Sequence, residues 1–218
     1  MISETPVVER DRVVRYSLRE RVMHWLVGFT YLYLLISGLA FYAPQLYWLA
    51  TILGGGPVAR FYHPWIGLVF TIAMVWMDVT WRVDMRITET DRRWTKEVRK
   101  YIENRDEEVP PSDRFNAGQK QFYWVMLVST IFLLLSGLVM WYPEYVPWNL
   151  RGLRSVAIYI HEIAALVTIG AFIIHVYMGV FMVPGGVKAI VQGYVSPQWA
   201  RSHHRLWFNR VQGERARE

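Results

Sequence analysis

Four stretches, residues 22–41, 64–81, 122–142 and 156–183, are almost without charge, and this constrains the chain more than any other feature. The first and third contain no Asp, Glu, Lys or Arg; the second carries only Asp78 and the fourth only Glu162. A helix needs about 20 residues to cross a hydrocarbon core of about 30 Å, and each stretch has roughly that length. Helices of a soluble bundle keep a polar face, and these have none. The expected fold is therefore all-α, an integral membrane four-helix bundle, with residues 1–218 forming one domain and polar tails at 1–21 and 184–218. The first 21 residues are polar and charged, with no small-residue cleavage site after the first apolar stretch, so no cleavable signal peptide is expected.

Charge orients the bundle. Of the 24 Lys and Arg, 21 fall in the two tails and the loop between the second and third stretches; the opposite loops hold only Arg60, Arg151 and Arg154. The positive-inside rule then places both termini of this multi-pass protein in the cytoplasm. The net charge of +6 is a topology signal, and membrane lipid rather than nucleic acid is the expected surroundings. In the long inner loop Trp94, Val98, Tyr101 and Ile102 recur at helical spacing, which predicts a short interfacial amphipathic helix on the cytoplasmic side. His63-Pro64 is expected to open the second span, with proline in the first turn.

Ionisable side chains at membrane depth mark functional sites by default, and four of the six histidines lie in or beside the spans. Hydrogen bonding between helices is the bland explanation for any one of them. Taken together they sort by depth: His63 with His161 in the outer half, His24 with His175 in the inner half. His161 and His175 are separated by 14 residues, about 21 Å of rise with an offset of about 40°, so one helix presents both along one face. Two imidazoles at each depth suit two haem irons with both axial positions filled, which leaves electron transfer as the chemistry. The chain has no cysteine, so covalent haem attachment and cysteine-ligated iron–sulfur clusters are excluded, and any haem is b-type.

One internal repeat stands out. Leu34-Leu35-Ile36-Ser37-Gly38-Leu39 matches Leu133-Leu134-Leu135-Ser136-Gly137-Leu138. Close helix packing explains the glycines as well as room for a flat macrocycle does. Gly38 lies 14 residues after His24, on the same face, which favours haem packing for Gly38 and Gly137.

Several longer segments resemble the cytochrome b-556 (gamma) subunits of membrane-bound respiratory formate dehydrogenases. They are Arg21-Val22-Met23-His24-Trp25, Arg60-Phe61-Tyr62-His63-Pro64, Phe115-Asn116-Ala117-Gly118-Gln119-Lys120, Ile174-His175-Val176-Tyr177-Met178 and residues 193–204. The resemblance covers most of the chain and implies a place in the bacterial inner (cytoplasmic) membrane. It implies two haem b groups on the same four histidines, and a quinone (menaquinone or ubiquinone) reduced near His175, Asn116, Gly118 and Gln119. From the residues alone, Asn116 reads as a helix cap. The resemblance further implies an iron–sulfur (beta) subunit that feeds electrons in from the periplasm, supplied by a molybdenum or tungsten formate dehydrogenase (alpha) subunit. Formate oxidation itself would then lie on another chain. A hydrogenase or thiosulfate-type reductase would use a similar cytochrome; a haem-free anchor or small transporter is the alternative of another class. Arg21, Arg60 and Arg154 are candidate partners for haem propionates. Asp78 is expected to pair with Arg82 at i+4, and Glu162 to face the outer water. His203 and His204 are expected to contact a partner helix or the surface.

Overall fold

The computed structural model describes residues 8–9, 12–103 and 105–215. In chain order the elements are β1 (Val8–Glu9), β2 (Arg12–Val14), α1 (Leu18–Tyr42), α2 (Leu49–Ile52), α3 (Gly56–Trp81), α4 (Glu89–Lys96), α5 (Val98–Ile102), α6 (Ala117–Trp141), α7 (Gly152–Tyr177), α8 (Gly186–Gln192), β3 (Tyr194–Val195), α9 (Pro197–His203) and α10 (Arg205–Arg215). A π-helical turn, Met178–Met182, extends α7. The four long helices α1, α3, α6 and α7 are long and apolar enough to cross a membrane. Their outward faces agree: Leu32, Ile72, Ile131 and Ile163, one from each, are 38–69% exposed, which lipid tolerates and water penalises.

The boundaries differ from the expected ones by several residues. Helix α3 begins at Gly56, so Pro64 lies inside it instead of opening it. Gly54 and Gly55 take positive φ (+88° and +102°), turning the chain just ahead of Gly56-Pro57, and proline is well tolerated at such a helix start. Pro64 has no N–H to offer Arg60, and His63 thus sits two turns into the helix. The inner-loop helix is broken. Trp94 and Tyr101 do meet, with ring centres 4.9 Å apart, but Glu97 interrupts the run and leaves two short helices, α4 and α5.

The chain divides into two compact units. One comprises Met23–Val79 and Trp124–Ile173, the other Met1–Val22, Thr80–Tyr123 and Ile174–Glu218. In the first, stretches of all four long helices pack through small and aromatic side chains. Tyr31 of α1 touches Phe70 of α3 and Phe172 of α7, and its hydroxyl bonds Thr168 Oγ1 at 3.2 Å. Trp65 of α3 meets Trp141 of α6 edge-on.

The second unit shows that the segments expected to be tails are folded. β1, β2 and β3 form an antiparallel sheet in that order, with Val13 opposite Val195. Gly193 makes the join: its φ is +88°, and a Cβ there would lie 2.7 Å from the Tyr16 carbonyl. Val13, Ala189, Val195, Ala200, Trp207, Phe208 and Val211 form a core under the sheet. Burying Trp207 and Phe208 contributes about 1.5–3 kcal/mol each.

That core also holds charge. Arg15 is only 2% exposed; its guanidinium lies over Trp207, Tyr16 and Phe115 and donates to the Arg114 carbonyl. Arg114 in turn bonds Glu20 (2.6 Å) and Asp84 (2.9 Å), and Glu20 accepts from Trp81 Nε1 at 2.6 Å. Burial opposes the Arg114 charge, but the two carboxylates outweigh it and hold its pKa above the ordinary value.

His204 corrects an expectation. It is 2% exposed and belongs to this core, not to the surface. Nδ1 donates to the Asp113 carbonyl (2.7 Å), and Nε2 accepts from Arg15 Nη2 (3.2 Å). Burial, then the adjacent Arg15 charge, holds its pKa well below 6.5. A folded pKa below the unfolded one means that acid protonates the unfolded chain first. The stabilisation is therefore complete above about pH 6.5 and is lost as pH falls below it. Thermal unfolding in detergent is expected to show this unit weakening from pH 7.5 to 5.5, with His204→Gln removing much of that difference. An unchanged pH dependence in H204Q would contradict this assignment.

Candidate haem-binding site

All four candidate histidines are half-buried in the long helices. His63 on α3 and His161 on α7 come together in one unit, with ring centres 6.3 Å apart. Each ring is fixed from behind. Ser37 Oγ of α1 lies 2.6 Å from His63 Nδ1, and Ser136 Oγ of α6 lies 2.9 Å from His161 Nδ1. Both serine hydroxyls donate within their own helix, Ser37 to the Tyr33 carbonyl (2.8 Å) and Ser136 to the Phe132 carbonyl (2.6 Å). A hydroxyl has one proton; with it on the helix carbonyl, each serine oxygen is left to accept from the imidazole, which corresponds to the Nδ1–H tautomer. In that tautomer the Nε2 lone pair of each ring is the one open to another partner.

Gly38 and Gly137, the residues after those serines, lie beside the same rings. A Cβ would stand 3.9 Å from His63 Cε1 at the first and 3.4 Å from His161 Cε1 at the second. Both distances are ordinary van der Waals contact, so a methyl group would touch each ring without displacing it.

This arrangement fits a bis-imidazole iron. A metal–nitrogen bond of roughly 2 Å on each side puts two ring centres about 6 Å apart. Phe41 meets His63 edge-on at 5.6 Å and borders a cleft of about 440 Å³ lined by Ala40, Phe41, Pro44, Tyr47 and Arg60.

The other two histidines are described in their own units. His24 on α1 packs edge-on to Trp25 at 5.4 Å. His175 near the end of α7 is stacked face to face by Phe122, with centres 4.3 Å apart and planes 7° from parallel. At the start of α6, Asn116 and Gln119 form a reciprocal capping pair: Asn116 Oδ1 accepts from Gln119 N (2.9 Å), and Gln119 Oε1 accepts from Asn116 N (3.0 Å). The cap expected of Asn116 is present. Its amide nitrogen reaches Tyr101 Oη at 3.4 Å, and a Cβ on Gly118 would contact the Trp94 ring at 3.6 Å. Arg21 donates to the Gln192 carbonyl at 3.0 Å.

The repeat carries Ser-Gly in both copies, Ser37-Gly38 and Ser136-Gly137, and that recurrence is the signal in the sequence for the serines. Phe122 and the core pair Arg15 and His204 were missed.

Two imidazoles brought together in apolar helices, His63 and His161, suit a membrane cytochrome that holds haem through histidine. Residues 15–193 match the family described as prokaryotic cytochrome b561, and the chain belongs to that family. Its cofactor type is haem b. The chain is 34% identical over 202 residues to the formate dehydrogenase cytochrome b556(fdo) subunit of Escherichia coli (strain K12), covering 93% of this chain and 94% of the relative. It is 28% identical over 208 residues to the formate dehydrogenase cytochrome b556 subunit of Haemophilus influenzae, covering 95% and 87%. It is also 28% identical over 206 residues to the nitrate-inducible formate dehydrogenase cytochrome b556(Fdn) subunit of Escherichia coli (strain K12), covering 94% of each.

Proposed function

We propose that this chain is the dihaem cytochrome b subunit of a formate dehydrogenase, passing electrons across the bacterial inner membrane to quinone. The observation that carries the reading is the His63–His161 pair, 6.3 Å apart with both Nδ1 atoms engaged by serine. His63 and His161 would hold haem b between them, and with both imidazoles bound it would supply one-electron transfer and no other chemistry.

His24 and His175 are the proposed ligands of a second haem nearer the cytoplasm. The 14-residue interval from His161 to His175 supports a site at each depth, and Phe122 holds the His175 ring in one plane. Arg60, one turn before His63 and lining the adjoining cleft, is positioned to neutralise propionates at the outer site. Ser37 and Ser136 orient the outer ligands, and the apolar helices exclude water.

Residues 1–218 act as one membrane domain, and the 21-to-3 distribution of Lys and Arg supports cytoplasmic termini. Electrons enter from an iron–sulfur subunit on the periplasmic side, fed by a molybdenum or tungsten subunit that oxidises formate. Quinone is reduced at the cytoplasmic side near His175, Asn116, Gly118 and Gln119. The capping pair fixes Asn116 and Gln119 at the start of α6, where backbone donors also face outward. The folded loop helices α4 and α5, with Trp94 and Tyr101, cover this region as an interfacial element.

The complex purified from its own membrane tests the reading. Formate is expected to reduce its b haem, and a quinone analogue to reoxidise it, with iron–sulfur and molybdenum or tungsten subunits co-purifying. Reduction by hydrogen with a hydrogenase subunit co-purifying would contradict the partner assignment.

A further inference from the structure

Two helices far apart in sequence present the same pair of residues to the two halves of one site. Ser37 and Ser136 are 0% and 4% exposed, yet neither needs the histidine for its own hydrogen bonding, since each already donates to a backbone carbonyl one turn earlier. With the hydroxyl proton on that carbonyl, a serine lone pair is left to accept from His63 Nδ1 or His161 Nδ1; the His161 ring also has a hydrogen bond to the Leu133 carbonyl. The following glycine, Gly38 or Gly137, leaves space beside Cε1 of the same ring.

We infer that Ser37 and Ser136 are a matched pair of positioning residues. Each imposes the Nδ1–H tautomer on one ligand of the outer haem, and by accepting that hydrogen bond makes the ligand more basic and lowers the haem's reduction potential. The inference rests on the dihaem reading above. Its physical basis is general: partners of a ligating histidine's second nitrogen raise ligand basicity, and losing one typically costs about 10- to 100-fold in metal affinity or activity. A more basic ligand favours ferric iron over ferrous. The serine hydroxyl cannot ionise at ordinary pH, so this bias is constant and does not depend on proton uptake. Packing alone would not require an oxygen at both positions, because alanine fills the same helix positions at no cost in helix propensity.

The test is a potentiometric titration of the purified complex, followed by haem absorbance, on wild type, Ser37→Ala, Ser136→Ala and Ser136→Thr. Each alanine variant is expected to keep both haems and to shift one of them towards the reduced form about tenfold at fixed ambient potential, which is an upward move of about 59 mV. The second haem should stay in place, and Ser136→Thr, which keeps the hydroxyl, should titrate as wild type. Two haems with unchanged potentials in both alanine variants would overturn the inference while leaving the dihaem reading intact. A wild-type complex without haem on this chain would overturn both. If an alanine variant loses the outer haem, S136T decides: a wild-type potential supports the role of the hydroxyl, and a shifted one overturns it.

Discussion

Replacing His161 by alanine is expected to lower the haem content from two per chain to one and to stop electron transfer from formate to quinone. Haem b has no covalent tether, so its retention depends on its two axial bonds and on packing. In the proposed assignment His161 supplies one of those bonds, and Ser136 Oγ lies 2.9 Å from its Nδ1. Removing it leaves His63 facing a gap across 6.3 Å. The second haem, proposed on His24 and His175, should stay and keep its spectrum. His175→Ala is the reciprocal case, removing the inner haem and sparing the outer. Two haems with wild-type spectra in H161A would contradict the ligand assignment.

The second large effect concerns stability. Lys120 Nζ lies 2.7 Å from Asp91 Oδ2, and the two side chains are 4% and 9% exposed. Lys120 also donates to the Arg86 carbonyl at 3.0 Å, and Asp91 closes the capping box of α4 through Thr88. Asp91→Ala strands a buried ammonium and removes half of that box. Breaking a buried pair from one side costs about 3–5 kcal/mol. Lys120→Met should cost less, because Asp91 keeps its two bonds from Thr88 (2.8 and 2.7 Å). Hydrogen exchange measures the difference: amide protection in α4 should fall more than about 100-fold in D91A. Protection should fall clearly less in K120M. Equal, small effects in both variants would show that the pair does not anchor the helix.

The membrane helices were legible because their signal is local. A run of some twenty uncharged residues has few other uses, and the four runs coincide with α1, α3, α6 and α7. Their ends were harder to read. His63-Pro64 resembles a helix start, but two positive-φ glycines upstream had already turned the chain, and the membrane helix carries its proline internally. The His63–His161 meeting was readable from depth and spacing alone.

What was not legible depends on residues far apart in sequence. His204 looks like part of a polar tail until Arg15, 189 positions earlier, is packed against it. The sheet of β1, β2 and β3 has strands of two or three residues, too short to show alternation, and joins the two ends of the chain. Ser37 and Ser136 were visible in the repeat, but serine in a membrane helix ordinarily bonds its own backbone. Only the position of the facing imidazoles reveals the second bond.

The most direct measurement is the haem stoichiometry of the purified wild-type chain by the pyridine haemochrome assay. The expected result is two b-type haems per chain. A value near zero would contradict the cytochrome function, and a value of one would contradict the second ligand pair, His24 with His175.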